Sequence, residues 1–403
     1  MLRRDQNQPW HPSYWLAALG AGGLSISFFM YLMWLVPHQG FPMPTWQHLE
    51  ALLAGSTALP TGVRFVAILA TLFMLLLALL HFTLLVWNIR EYRAARTTEA
   101  YQQLLGSPSE VQLMAQPLTF AMTVNVCFAL GALCVPNLWT VVEYLFPFAL
   151  LAFAAIGVWS LKLYGRYLSR MLVSGGYRQE EHNHLSPLMA VFTFSMLSVG
   201  FAAPAAMSQS LFVAALAATL SILFLVVAVV SGVLILISGL QAMLQYGLQA
   251  QATPSIWMLI PIMTLLGIEW VRVQHGLSHH FAAPVEQGKL FVVLTAIYML
   301  QLGVMLLGYR VMQLNGYLKA HFLGDQRNPI SFGLICPGVA LFVMGMFWWH
   351  LVWVQGGIVV AFSLVYWLGI GGLAAVQFLT LAALLHLSHR LLRHKPIKIA
   401  SME

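Results

Sequence analysis

Ten long apolar segments fill most of this 403-residue chain, and every second one opens with a polar residue followed by proline. The five dipeptides are His11-Pro12, Gln116-Pro117, Ser186-Pro187, Thr253-Pro254 and Asn328-Pro329. Proline is tolerated in the first turn of a helix because the N–H that it lacks would have no helical partner there. The alternation predicts five copies of a helical hairpin, each with a proline-initiated helix followed by a second helix.

The apolar segments are long enough to cross a lipid bilayer. Charged residues make up 8% of the chain and hydrophobic residues 60%, whereas soluble domains carry roughly 25% charge. A membrane-spanning helix needs about 20 apolar residues, and a helix satisfies its own backbone groups in lipid. We therefore predict an all-α integral membrane domain over 14-388, between an N-terminal segment 1-13 and a basic tail 389-403. The predicted helices are 14-36, 64-88, 117-136, 138-164, 187-208, 211-240, 254-272, 289-313, 329-352 and 357-388.

Positive residues sort by loop, which indicates the orientation in the membrane. The loops on one side hold only Arg64, Arg272 and Lys289, at helix edges. The other side collects Arg3, Arg4, Arg90, Arg93, Arg96, Arg166, Arg170, Arg178, Arg310, Lys319, Arg327, Arg390, Arg393, Lys395 and Lys398. This bias predicts a multi-pass protein with both termini in the cytoplasm. On this interpretation the net charge of +7 is a signal of topology in the lipid bilayer and does not indicate a nucleic-acid partner.

Small and polar residues concentrate in the odd-numbered segments. They include Gly22, Gly23, Ser25, Thr123, Asn125, Ser195 and Thr264. In membranes, small residues let helices approach closely and polar side chains face the interior of the bundle. Two interpretations stay open: tight packing of inner helices, or a pathway that the odd-numbered helices line. The regular alternation favours the pathway, with odd-numbered helices as an inner ring and even-numbered helices as an outer ring.

Two further prolines lie inside odd-numbered segments. Pro261 and Pro337 follow the helix-initiating prolines Pro254 and Pro329 by about two turns. Each lacks a backbone N–H and leaves a carbonyl without its helical partner, which membrane proteins tolerate beside neighbouring groups or a water-filled cavity. We expect a bend at each proline, either as a packing feature of an inner helix or as a narrowing of a pore.

The ninth segment carries the best local resemblance to a known family. Its residues Asn328 to Val339 read NPISFGLICPGV, and the first segment has the glycine cluster Gly20, Gly22 and Gly23. With the order of the helices over roughly 12-390, these features resemble the tellurite-resistance/dicarboxylate transporter family, which includes the plant guard-cell anion channels. The resemblance implies a ten-helix bundle, a central pore for small anions, a bacterial inner membrane and a homotrimer. Sulfite is the substrate suggested by relatives in that family.

One departure from the family concerns the pore gate. In channels of the family, a phenylalanine in the middle of the ninth helix occludes the pore. The matching position here falls at or within a residue or two of Cys336, beside Pro337, and a thiol is too small to close a pore alone. The other aromatic residues of odd-numbered segments that could occlude it are Phe120, Phe194 and Phe332.

Cys336 supports an alternative function. The chain resembles a TsoY-like bacterial branch, described as including selenoproteins, in which Cys336 would be a place for a redox-active chalcogen. A buried cysteine is usually a small inert hydrophobe, and a reactive thiol needs a cation or a helix terminus beside it. The alternative is therefore a membrane-embedded thiol redox protein that acts through Cys336 on a channel-like scaffold.

Ionisable residues near the outer ends of the helices complete the candidate site. Glu269 lies in the seventh segment, and Arg272, three residues on, is its expected partner at a pore mouth. His275 and His279 have a spacing that could bind a metal on a helix, but no cysteine or carboxylate lies beside them. We therefore expect no metal and no cofactor. The chain also lacks a phosphate-binding loop signature, which argues against ATP-driven pumping.

Overall fold

The computed structural model describes residues 2–5, 8–174 and 183–393. All regular structure in these ranges is helical, and ten helices are long and apolar enough to cross a membrane. We number these α1 to α10 in chain order. Their bounds are α1 Pro12–Leu35, α2 Thr61–Ala95, α3 Pro108–Cys134, α4 Leu138–Val173, α5 Leu188–Met207, α6 Leu211–Tyr246, α7 Ala250–Phe281, α8 Gln287–Leu314, α9 Pro329–Val354 and α10 Leu364–Leu392.

The prediction of an all-helical membrane protein with ten candidate spans is confirmed, but several bounds differ: the second, fourth, sixth and seventh helices end six to nine residues later than predicted, and the tenth begins at Leu364 instead of residue 357. Helix α3 begins at Pro108, not at Pro117. The side chain of Ser107 accepts a hydrogen bond from the Ser109 N–H and caps this start. Ser107-Pro108 is thus the polar-proline pair that opens the third span. Among the predicted cytoplasmic cations, Arg178, Lys395 and Lys398 lie outside the described residues, as does most of the tail 389-403.

Four of the five odd-numbered helices open with 3₁₀ turns. These are Pro12–Tyr14, Pro108–Met114, Ala250–Met258 and Pro329–Leu334. In α3, α7 and α9, the third residue after the 3₁₀ stretch is a proline, namely Pro117, Pro261 or Pro337. The first N–H groups of an α-helix have no partner inside the helix. These prolines therefore mark the change from 3₁₀ to α geometry and do not interrupt an α-helical ladder.

Burial separates the odd-numbered from the even-numbered helices. In the most apolar stretch of each odd-numbered helix, 44–94% of the residues are buried, against 22–39% in the even-numbered helices. Large apolar side chains project from all the even-numbered helices, as at Leu79, Phe148, Phe212, Leu306 and Leu368. Such faces suit contact with lipid, in which apolar side chains need no protein partner.

Contacts between helices follow the chain order. Each odd-numbered helix packs against the even-numbered helix that follows it. The odd-numbered helices also contact one another: α1 with α3, α3 with α5, α5 with α7, α7 with α9, and α9 with α1. Gly20 permits the close approach of α1 to α9, because a Cβ there would lie 2.7 Å from the side chain of Ile335.

Ion pairs join the N-terminal segment to the ends of the helices. Arg4 Nε lies 2.9 Å from the Glu91 carboxylate, and an Arg327 nitrogen lies 3.8 Å from Asp5 Oδ2. Near them, Arg390 donates to the Phe322 carbonyl at 2.6 Å. Several of the cations predicted to be cytoplasmic therefore hold together one end of the bundle.

We expect acid to weaken this end through His11. Its Nδ1 accepts a hydrogen bond from the Ser13 N–H at the start of α1, and burial lowers the pKa of His11 to about 4. The unfolded chain, with an ordinary histidine, then binds more protons than the folded protein between pH 6.5 and 4, so stability falls as the pH falls through this window. Acidification from pH 7 to 5 should lower the thermal midpoint by about 1 to 2 °C through this group. In His11→Asn, which keeps a capping acceptor, the loss should be smaller; an identical loss would contradict this role.

Candidate functional site

A cavity of about 910 Å³ lies between the odd-numbered helices. Its wall includes residues from all five of them, among them Gly23, Asn125, Phe192, Thr264 and Cys336. It extends to the C-terminal ends of these helices and to the loop after α1. This volume lies near the upper end of the range for small-molecule sites in proteins.

The wall of this cavity is apolar and carries one fixed positive charge. Phenylalanine, methionine, valine and alanine are its commonest side chains, with Asn125, Thr264 and two histidines among the polar groups. Among the described residues that line it, Arg272 is the one lysine or arginine, and no aspartate or glutamate lines it. Arg272 Nη1 donates to the Val199 carbonyl at 2.8 Å, which holds the guanidinium at the wall.

A second cavity, of about 30 Å³, lies at the N-terminal ends of the same helices. Its wall includes Ser13, Gln112, Ser186 and Ser255. Phe192, Pro261 and Cys336 line both cavities. These three residues therefore lie between the two cavities, and we refer to them as the constriction.

Phe192 is the largest side chain of this constriction. It is 5% exposed, and it stacks on no other aromatic ring among the described residues. Cys336 is a free cysteine and 8% exposed. The site predicted from the sequence includes Cys336 but not Phe192, which lies two positions before Phe194.

Phe120, Phe194 and Phe332, which the sequence offered as residues that could occlude a pore, line neither cavity. Phe194 is fully buried, and its ring centroid lies 5.4 Å from that of Tyr164 and 6.2 Å from that of Phe224. Phe120 packs against Trp15 and Trp159, and Phe332 packs against Tyr14. Their rings fill spaces between helices.

The polar residues that the sequence suggested for a pore lining divide into those that line a cavity and those that do not. Asn125 and Thr264 line the large cavity. The Thr264 hydroxyl donates to the Ala340 carbonyl at 3.0 Å and accepts from Gln301 Nε2 at 2.7 Å. By contrast, Ser25, Thr123 and Ser195 line neither cavity. The Ser25 hydroxyl donates to the Met74 carbonyl at 2.8 Å and thereby joins α1 to α2.

Gly22 and Thr123 surround a buried histidine. His81 Nδ1 donates to the Ala18 carbonyl at 2.7 Å, and Nε2 lies 2.9 Å from the Thr123 hydroxyl. A Cβ on Gly22 would lie 2.7 Å from His81 Nδ1, so the glycine makes room for the ring. Gly22 therefore serves packing, whereas Gly23 lines the large cavity.

The expected ion pair between Glu269 and Arg272 is not formed, because each side chain makes a hydrogen bond to a different helix. Glu269 Oε1 accepts from the Ser221 hydroxyl of α6 at 3.1 Å, and Glu269 is buried. Arg272 lies at the cavity wall and donates to α5. The cation at the cavity is therefore not neutralised by this acid.

His275 and His279, the spaced pair near the end of α7, have different neighbours. His275 lines the large cavity, and its Nδ1 lies 2.7 Å from the Val271 carbonyl. His279 contacts the neighbouring His280 at 3.3 Å. No group of three or more histidine, cysteine or acidic side chains is arranged to hold a metal ion in the part of the chain that the structure describes.

The sequence matches no protein-family model, and no curated protein gives a significant match. The resemblance to the tellurite-resistance/dicarboxylate transporters therefore rests on the order of the helices, the glycines of α1 and the NPISFGLICPGV stretch of α9.

Proposed function

We propose that this protein passes small anions across a membrane through a central pathway lined by the odd-numbered helices. In this arrangement α1, α3, α5, α7 and α9 form an inner ring and the even-numbered helices form an outer ring. Two observations support it: the stronger burial of the odd-numbered helices and their contacts with one another, which return from α9 to α1.

The observation that carries the proposal is the 910 Å³ cavity whose wall all five odd-numbered helices share. The fixed charge on its described wall is that of Arg272. A cation without a compensating carboxylate attracts anions, and a weak polar group such as the Asn125 amide lets them leave again. The constriction of Phe192, Pro261 and Cys336 then separates the cavity from the opposite end and provides the gate.

We also propose an orientation. The cation-rich ends described above, with Arg4, Arg327 and Arg390, lie in the cytoplasm, as the positive-inside rule requires. The large cavity extends to the C-terminal ends of the odd-numbered helices and therefore opens to the outside. For a bacterial protein, this is the inner membrane with both termini in the cytoplasm.

The test is anion flux into proteoliposomes. Liposomes with the wild-type protein should take up a permeant anion faster than empty liposomes. Because Cys336 lies at the constriction, Cys336→Ser should keep this flux, and Cys336→Phe should lower it by about tenfold by filling the gap. Size-exclusion profiles and thermal midpoints of each variant establish that the protein is folded.

The same series separates transport from thiol chemistry. Absence of flux in folded wild-type protein, together with oxidation of Cys336 by a membrane-permeant disulfide, would overturn the transport proposal in favour of the redox alternative. Flux that survives in Cys336→Ser would exclude a mechanism that needs the thiol.

A further inference from the structure

Polar side chains from four inner segments surround the small cavity. Ser13 comes from the start of α1, Gln112 from α3, Ser186 from the residues just before α5, and Ser255 from α7. All four are more than nine-tenths buried, with exposures of 3%, 6%, 6% and 3%. Four buried polar side chains around one space of about 30 Å³ form a built polar site.

Three of these side chains have no partner. The hydroxyls of Ser13 and Ser186 and the amide of Gln112 make no hydrogen bond to any described residue. Ser255 Oγ accepts from the Leu185 N–H at 3.0 Å, which leaves its own proton free. Elsewhere in the inner helices, Thr119 and Thr193 donate to carbonyl groups, whereas Ser195 Oγ is buried without a partner and lines neither cavity. Buried polar groups are normally hydrogen-bonded, so the unpaired side chains of the small cavity leave donors that a ligand there can use.

The surroundings of the small cavity favour a negative charge. The N-terminal ends of α1, α3, α5 and α7 meet there, and helix N-termini carry a partial positive charge. No acidic side chain is among the described residues of its wall. The acid nearest in sequence to Gln112 is Glu110, which is paired with Arg170.

We propose that this cavity binds one monovalent anion of about halide size, held by the hydroxyls of Ser13, Ser186 and Ser255 and the amide of Gln112. A cavity of about 30 Å³ has room for one such ion or for a water molecule. The inference rests on the proposed function, since it makes the small cavity an inner binding station beyond the Phe192 constriction. The proposal also explains why polar side chains near the N-terminal ends of four helices surround one space: they bind the anion.

Bromide is the probe, because its anomalous scattering locates it directly. Crystals of the full-length wild-type protein grown in sodium bromide should show an anomalous peak between the four side chains. The double variant Ser13→Ala/Ser186→Ala and the single variant Gln112→Leu should lose this peak. The control Ser238→Ala removes a hydroxyl from a half-buried position of α6 that lines neither cavity, where it donates to Leu234, and should keep the peak. A wild-type map without anomalous density in this cavity, or with equal density in all variants, would overturn the proposal.

Flux measurements separate this inference from the transport proposal. In proteoliposomes, the double variant should raise the half-saturating bromide concentration about tenfold, because two hydrogen bonds to the ion are lost. Flux with no bromide peak in the small cavity would leave the transport proposal standing and reject the binding site. A bromide peak in the small cavity without anion flux would support the binding site and reject the transport proposal.

Discussion

Replacing Phe192 with alanine is expected to raise anion flux by roughly tenfold or more, because it removes the largest side chain between the two cavities. An apolar constriction opposes a permeating ion by stripping its water without replacing it. Phe192 supplies the aromatic ring at this point, and its neighbours there are Pro261 and Cys336. A lowering of the barrier by only about 1.4 kcal/mol already gives a factor of ten.

The matched control for this prediction is Phe194→Ala. It removes the same atoms from the same helix, but Phe194 lies among Tyr164 and Phe224 and lines neither cavity. Truncation of a fully buried phenylalanine typically lowers stability by about 3 to 5 kcal/mol, so this variant should lose thermal stability without gaining flux. Equal flux in Phe192→Ala and wild type, with both folded, would place the gate elsewhere.

The position of Phe192 between the two cavities shows what the composition of a membrane helix leaves open. The ten spans follow from apolar length, because lipid imposes helix on any such segment. In α5, however, 94% of the most apolar stretch is buried, so burial does not distinguish the cavity face from the faces that pack on α4 and α6. Phe192 and Phe194 lie two positions apart and therefore point in different directions. Only the packing of the neighbouring helices decides which of them meets the cavity.

Hydroxyl groups are ambiguous for a related reason. Serine and threonine in a helix can satisfy themselves by donating to a carbonyl group nearby. The Thr123 hydroxyl donates to Thr119 and that of Ser25 donates to Met74, and neither residue lines a cavity. Asn125 and Thr264 reach the large cavity. In the sequence all four look alike, and the distinction depends on which face each helix turns inward.

The third helix start shows the limit of the repeat signal. Gln116-Pro117 resembles the other polar-proline pairs, but Pro117 corresponds in position to Pro261 and Pro337, which begin the α-helical parts of α7 and α9. The pair that opens the span is Ser107-Pro108. The segment between the two prolines holds Gln112, which lines the small cavity and was absent from the sequence-based site.

Replacing Arg272 with glutamine is expected to lower anion flux by roughly tenfold at low salt. At an effective dielectric constant of about 20, a unit charge attracts an anion about 4 to 8 Å away by about 2 to 4 kcal/mol. Mobile ions at a cavity that opens to solvent screen part of this attraction. Glu269 does not cancel the charge, because its carboxylate accepts from Ser221 instead.

The comparison that decides the role of Arg272 uses three variants in proteoliposomes at low and high salt. Arg272→Lys keeps the charge and should retain most of the flux. Lys289→Gln removes the same charge from the start of the next helix, where the lysine is 65% exposed and paired with Glu286 at 2.7 Å, and should have little effect. The deficit of Arg272→Gln should shrink as salt rises, because screening weakens what the native cation contributes. If Arg272→Gln and Lys289→Gln carry anions equally well at low salt, the guanidinium does not attract the ion, and the electrostatic argument for anion transport fails.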